Sequence, residues 1–146
     1  MNHEEMNHED TKTRRTARRE PIPEATERVA TQVVDAAFAV HSALGPGLLE
    51  SVYEACLEHE LSRREISVQR QVSLPVVYRD LRIEAGFRLD MVIANCIVIE
   101  LKAVESLLPL HQAQLHTYLR LSGHRLGFLL NFNVARLKQG IQRLAL

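Results

Sequence analysis

Three charged residues stand where the burial pattern should exclude them. Asp90 interrupts an alternating segment, Phe87 to Ala94; Glu100 follows the β-branched run Ile97-Val98-Ile99, and Lys102 comes two residues later. If these segments pair as a hairpin through Asn95, Asp90 lies opposite Glu100, and period-two geometry puts Lys102 on the face of Glu100. Burying an unpaired carboxylate is costly, and two adjacent ones repel. A salt bridge between Glu100 and Lys102, where the strand meets solvent, would satisfy these charges structurally. A divalent cation would also resolve the repulsion. Mg²⁺, or Mn²⁺ in its place, takes oxygen ligands, commonly one or two carboxylates with waters and substrate phosphate, and the carbonyl of Leu101 offers a further oxygen. Such an ion acidifies water and polarises a phosphodiester. Lys102 would then orient the water or neutralise developing negative charge.

Two further features bear on the same chemistry. Gln114 and Tyr118 are four apart on a helix whose apolar face is expected to comprise Leu107, Leu108, Leu110, Leu115 and Leu121. An amide and a phenol on that face need partners. They would hold a nucleotide, brace the carboxylates, or bond internally. Glu50 opens another helix and shares a stripe with Tyr53, Leu57 and Leu61. The helix N-terminus by itself favours a carboxylate there.

The elements that must carry these residues follow from periodicity. Residues 1–25 have no hydrophobic period, a basic cluster (Arg14, Arg15, Arg18, Arg19) and the breaker Pro21-Ile22-Pro23, and read as a flexible charged arm. Residues 26–146 read as one domain. Val29, Val33, Ala37, Val40 and Leu44 predict a helix from Thr26 that stops at Gly45-Pro46-Gly47. A second helix is expected from near Leu48. Ile66 to Val72, Leu74 to Tyr78, Phe87 to Ala94 and the run from Ile97 then read as strands, the last of them covered on both faces. Pro109 opens a helix ending at Ser122-Gly123, and Leu126 to Leu130 is a further strand, followed by a short final element. This order predicts an α/β (α+β) fold with helices around a mixed sheet.

Composition bounds the rest. The 146 residues are 46% hydrophobic and 25% charged, enough for one domain with a real core. Two cysteines are too few for a disulfide scaffold, and Cys56 and Cys96, read in helix and strand, are expected as buried free thiols. The net charge is zero, which taken alone argues against a nucleic-acid partner. The sum hides a split: residues 1–105 hold 13 basic and 18 acidic side chains, whereas residues 106–146 hold Arg120, Arg125, Arg136, Lys138 and Arg143 with no acid. That segment is a candidate phosphate-facing surface. No apolar run approaches the length of a membrane span, and the polar start lacks a secretory h-region, so a cytoplasmic protein without membrane contact is expected. Gly45-Pro46-Gly47 lacks the Lys and Ser/Thr of a phosphate-binding loop, His111 and His116 are wrongly spaced for one helical face, and neither cysteine sits in a catalytic-thiol pattern.

These residues carry a resemblance. Gly47-Leu48-Leu49-Glu50-Ser51-Val52-Tyr53 is similar to the motif of the GxxExxY proteins. Asp90 followed by Glu100-Leu101-Lys102 resembles the core of the PD-(D/E)XK nuclease superfamily, and Gln114-Leu115-His116-Thr117-Tyr118 resembles the QxxxY motif of its recombination-exonuclease branch. The resemblance covers about residues 26–140. It implies a restriction-endonuclease-like central mixed β-sheet flanked by helices. It also implies Asp90 and Glu100 as metal ligands, Lys102 as the catalytic lysine, Glu50 as a helix-borne acid near the metal, and Gln114 and Tyr118 as an accessory pair. Leu89 replaces the Pro of the motif, and the acid–acid–lysine set is intact. The expected activity is Mg²⁺- or Mn²⁺-dependent hydrolysis of phosphodiester bonds in nucleic acid, with DNA the expected substrate, by a monomer or a homodimer. The alternative is a non-catalytic nucleic-acid- or protein-binding module that keeps the fold.

Overall fold

The computed structural model describes residues 20–146; most of the charged arm, residues 1–19, lies outside them. Helix α1 spans Glu24–Leu44 and α2 spans Glu50–Arg63. Strands β1 (Val68–Tyr78), β2 (Leu81–Ile93) and β3 (Ile97–Lys102) follow, then α3 (Pro109–Ser122), β4 (Leu126–Asn131), a 3₁₀ turn (Leu137–Gly140) and β5 (Ile141–Ala145). No helix among the described residues is long and apolar enough to cross a membrane.

The domain begins earlier than the sequence pattern suggests. Pro23 precedes α1, Glu24 and Glu27 occupy its first turn, where acids complement the helix dipole, and Ile22 packs against the core. Arg125 donates to the backbone oxygens of Glu20 and Pro21. Residues 20–25, read as arm, therefore belong to the structured body, the last two as the first turn of α1. The helix ends as expected at Gly45, whose φ of 70° suits glycine and whose N–H bonds the carbonyl of His41. Its buried stripe is Ala30, Val33, Ala36, Ala37, Val40 and His41, and Leu44 stays exposed because the chain turns away there.

The five strands form one sheet in the order β1-β2-β3-β4-β5, antiparallel except for the parallel β3–β4 pair. Helices α1 and α2 cover one face around Tyr53, Leu57, Ile97, Ile99 and Phe128. Helix α3 covers the other through Leu115 and Leu119, packed on Val98 and Leu129. Ile97 to Leu101 and all of β4 are buried, as expected of strands covered on both faces. Each large aliphatic side chain so buried contributes about 1.5–3 kcal/mol. This mixed sheet between helices is the restriction-endonuclease-like arrangement that the resemblance implied.

Four local expectations are corrected. The two strand-like pieces before Arg79 are one continuous strand, β1, bulged between Leu74 and Val76 at Pro75. The apolar face of α3 is Leu115 and Leu119, whereas Leu108, Leu110 and Leu121 are exposed, since the helix presents one narrow stripe to β4. Cys96 sits in the turn after β2 rather than in a strand, and both cysteines are free and half-buried. The alternation through β2 also reverses. Met91 and Ile93 enter the α1–α2 core, but Phe87 and Leu89 enter the α3 core. The reversal falls at Asp90, beside Gln71 of β1 with its φ of 53°.

Candidate metal and phosphodiester site

The β2–β3 register runs Ile93↔Ile97, Val92↔Val98 and Met91↔Ile99, which is the hairpin through Asn95 that the sequence predicts. One step further the carboxylates replace the ladder. The backbone N–H of Asp90 donates to Glu100 Oε1 at 3.2 Å, and the N–H of Leu101 donates to Asp90 Oδ2 at 2.9 Å. Each acid thus caps the other's strand, and the pair is fixed by backbone.

The charges are uncompensated at close range. Glu100 is only 4% exposed. Burial, and then the Asp90 carboxylate, push its pKa up to about 8. The structure contains a telling contrast. Glu54, also buried, accepts from Gln71 at 2.7 Å and pairs with Arg70 at 3.3 Å. No cation lies within salt-bridge distance of Glu100 or Asp90 among the described residues, and the Glu100–Lys102 bridge that would have made the set structural is not formed. Lys102 is half-buried at the end of β3.

Glu50 and the α3 pair converge on this spot from opposite sides. Glu50 keeps solvent contact at the start of α2. Its pKa is raised by partial desolvation and then by Asp90, with Lys102 opposing, so it lies within electrostatic reach of both. The acid on the buried stripe of α2 is Glu54, not Glu50, because the stripe beside Tyr53 and Leu57 takes the next residue of the turn. Tyr118 faces the carboxylates from α3: burial first, then Glu100, raise its pKa. Gln114 donates to the Tyr118 hydroxyl at 3.0 Å, and the ring packs on Phe87 at 5.0 Å. The amide–phenol pair is therefore bonded to itself, with the phenol within electrostatic reach of the acids.

The oxygen donors suit a hard cation. Lys102 O accepts from Phe132 N–H on the β4 side, so strand alternation turns the Leu101 amide and carbonyl toward Asp90. Asp90, Glu100 and Leu101 together offer only oxygens, the set that Mg²⁺ or Mn²⁺ prefers. Among the described residues no three His, Cys, Asp or Glu side chains stand close enough to hold a metal together, so Glu50 sits outside the immediate pair.

Two residues support the site in ways the sequence does not show: Tyr53, read only as a stripe and motif residue, and Asn131, not singled out at all. Tyr53, fully buried, donates to the Gly45 carbonyl at 2.6 Å and accepts from Leu48 N–H at 3.1 Å, which ties the turn that starts α2 and presents Glu50. Its ring stacks on Phe132 with centroids 4.7 Å apart. Asn131, 1% exposed, pairs with Lys102 in the sheet. Its carboxamide accepts from Val104 N–H (3.1 Å) and Asn133 N–H (3.2 Å) and donates to Val104 O (2.9 Å), clamping the chain just past Lys102. The signal for Asn131 was a polar residue closing an apolar strand. Asn131→Ala leaves these buried backbone groups unpaired, each costing about 1–3 kcal/mol. Thermal or urea unfolding is expected to show a loss in that range or above.

A model of the PD-(D/E)XK nuclease superfamily matches residues 27–144, which include every site residue above. No curated protein and no solved structure matches the chain. The matched span and the mixed sheet that joins Asp90 to Glu100 and Lys102 lead to one assignment: the chain belongs to the PD-(D/E)XK nuclease superfamily.

Proposed function

We propose that the protein is a metal-dependent nuclease that hydrolyses phosphodiester bonds in DNA. The observation that carries this reading is a carboxylate pair, half-buried Asp90 and buried Glu100, locked by backbone hydrogen bonds and without an ion-pair partner among the described residues, with Lys102 next to it. Nucleases of the superfamily generally use Mg²⁺ or other divalent metals. The Gly47-x-x-Glu50-x-x-Tyr53 motif supports placement in the GxxExxY branch.

Asp90, Glu100 and the Leu101 carbonyl would hold the ion. When bound, a divalent cation polarises a phosphoryl oxygen and acidifies water. The Lys102 ammonium stabilises the negative charge that builds on the phosphate as water's oxygen bonds to phosphorus and the ester P–O bond breaks, the departing oxygen taking a proton from solvent water. Glu50, its pKa raised, accepts the proton released by the attacking water. Tyr118, held by Gln114, donates a hydrogen bond at the α3 side and orients the phosphate or the acids.

A second reading has one observation in its favour. No three-ligand cluster exists among the described residues, which suits a binding module that keeps the fold without chemistry. The experiment is cleavage of labelled single- and double-stranded DNA and RNA in Mg²⁺, Mn²⁺ or EDTA. Cleavage of DNA that requires the metal and fails in EDTA is expected. Intact substrates under every condition would contradict the nuclease reading.

A further inference from the structure

Pairing of β2 with β3 stops at Met91↔Ile99, but pairing with β1 continues to Tyr78↔Leu81. Leu81–Asp90 and its β1 partner thus run on as a two-stranded ribbon, about 30 Å long at the usual rise per strand residue. Its root is the carboxylate pair. From Val77 to Gly86 every residue is exposed. A bulge bends it, and Gly86 is required there because a Cβ would lie 2.8 Å from the Val76 backbone nitrogen.

The tip is unusual for a surface. Tyr78, Leu81 and Ile83 are 63%, 55% and 47% exposed, and the register Tyr78↔Leu81 and Val76↔Ile83 places them on one face. Arg79 lies over the Tyr78 ring, 5.5 Å from its centroid. Arg88 is exposed at the root, two residues from Asp90. Neither arginine pairs with a carboxylate among the described residues, whereas Arg70 is bound to Glu54 and Glu58, and Arg82 to Glu84. In the acid-free C-terminal segment, Arg143 is tied to Glu27, and Arg125 to backbone carbonyls. Two of that segment's five cations are therefore committed away from the site.

We infer that the β1–β2 ribbon is the arm that receives the nucleic-acid strand. Arg88 and Arg79 contact phosphates at its root and tip, and the Tyr78–Leu81–Ile83 face lies against bases. This rests on the nuclease reading and adds where the substrate docks. The chemistry is suited to it: a two-stranded ribbon fits a groove, exposed apolar side chains wedge between base steps, and an aromatic ring stacks on any base. Flanking arginines supply the sequence-independent attraction.

The test is fluorescence anisotropy of labelled 30-nucleotide single-stranded and duplex DNA with the full chain in EDTA, across a salt series. The wild type should bind. Arg79→Ala and Arg88→Ala should each flatten the salt dependence by about one unit, and Tyr78→Ala should weaken binding about 5- to 100-fold. All three positions are exposed, so the fold should survive. Wild-type binding that the three variants leave unchanged in affinity and slope overturns the ribbon assignment and leaves the nuclease reading standing. No wild-type binding to either DNA overturns the ribbon assignment, and metal-dependent cleavage then decides separately whether the nuclease reading survives. Sedimentation covers the rival occupant: a wild-type dimer that Tyr78→Ala splits without changing DNA affinity makes the ribbon an interface between copies and overturns the inference.

Discussion

Lys102→Ala should remain folded and lose about 10²- to 10³-fold in kcat on a DNA substrate, with KM little changed. The size is that of removing one preorganised charge from a developing oxyanion. The selectivity for kcat follows because the ammonium acts on charge that appears only as the ester bond breaks. Stability is spared because Lys102 forms no ion pair among the described residues, and its place at the end of β3 is fixed by its carbonyl, which accepts from Phe132 N–H at 3.0 Å. Lys102→Arg keeps charge but not the compact geometry of an ammonium, so only partial activity should return. A Lys102→Ala protein that cleaves at the wild-type rate would remove the lysine from the mechanism.

Glu100→Gln should abolish cleavage and yet make the metal-free protein more stable at pH 8. The folded-state pKa of Glu100, about 8, stands above the ordinary 4.5, because burial and Asp90 disfavour the anion. Between those values the folded state binds the extra proton, so stability falls as pH rises from about 4.5 to about 8. At about 1.4 kcal/mol per pKa unit, the cost at alkaline pH reaches several kcal/mol. Gln cannot ionise, so the variant should lack this decline. Urea unfolding of both proteins in EDTA from pH 5 to pH 9 measures it. Parallel pH curves would show that Glu100 carries no such strain. Adding Mg²⁺ or Mn²⁺ should restore the wild type at pH 8 and do little for the variant, since a cation favours the ionised acid.

Much of this was legible in the sequence, for identifiable reasons. The hairpin through Asn95 could be read because apolar runs of defined parity flank one turn, and that register alone set Asp90 against Glu100. The ends of α1 and α3 were marked by Gly45 and Gly123, where helices can terminate in glycine conformations. The reversal of β2 at Asp90 was not legible. It depends on the backbone of Gln71, with positive φ in a non-glycine residue, which no periodicity signals. The α3 face was misjudged because leucines on several sides look equally apolar until the sheet selects Leu115 and Leu119. The clamp by Asn131 on Val104, 27 residues away, and the latch by Tyr53 on the Gly45–Leu48 turn are bonds to backbone, invisible in residue type. Charge behaved similarly. The acid-free C-terminal segment looked like one basic surface, but the fold brings Glu27 to Arg143 and chain carbonyls to Arg125.

The most direct measurement is isothermal titration calorimetry of Mn²⁺ into the wild type and Asp90→Ala at pH 8. A carboxylate-held metal site predicts saturable binding by the wild type and its loss in Asp90→Ala, with circular dichroism unchanged. Equal binding by both proteins, or none by the wild type, would contradict the account.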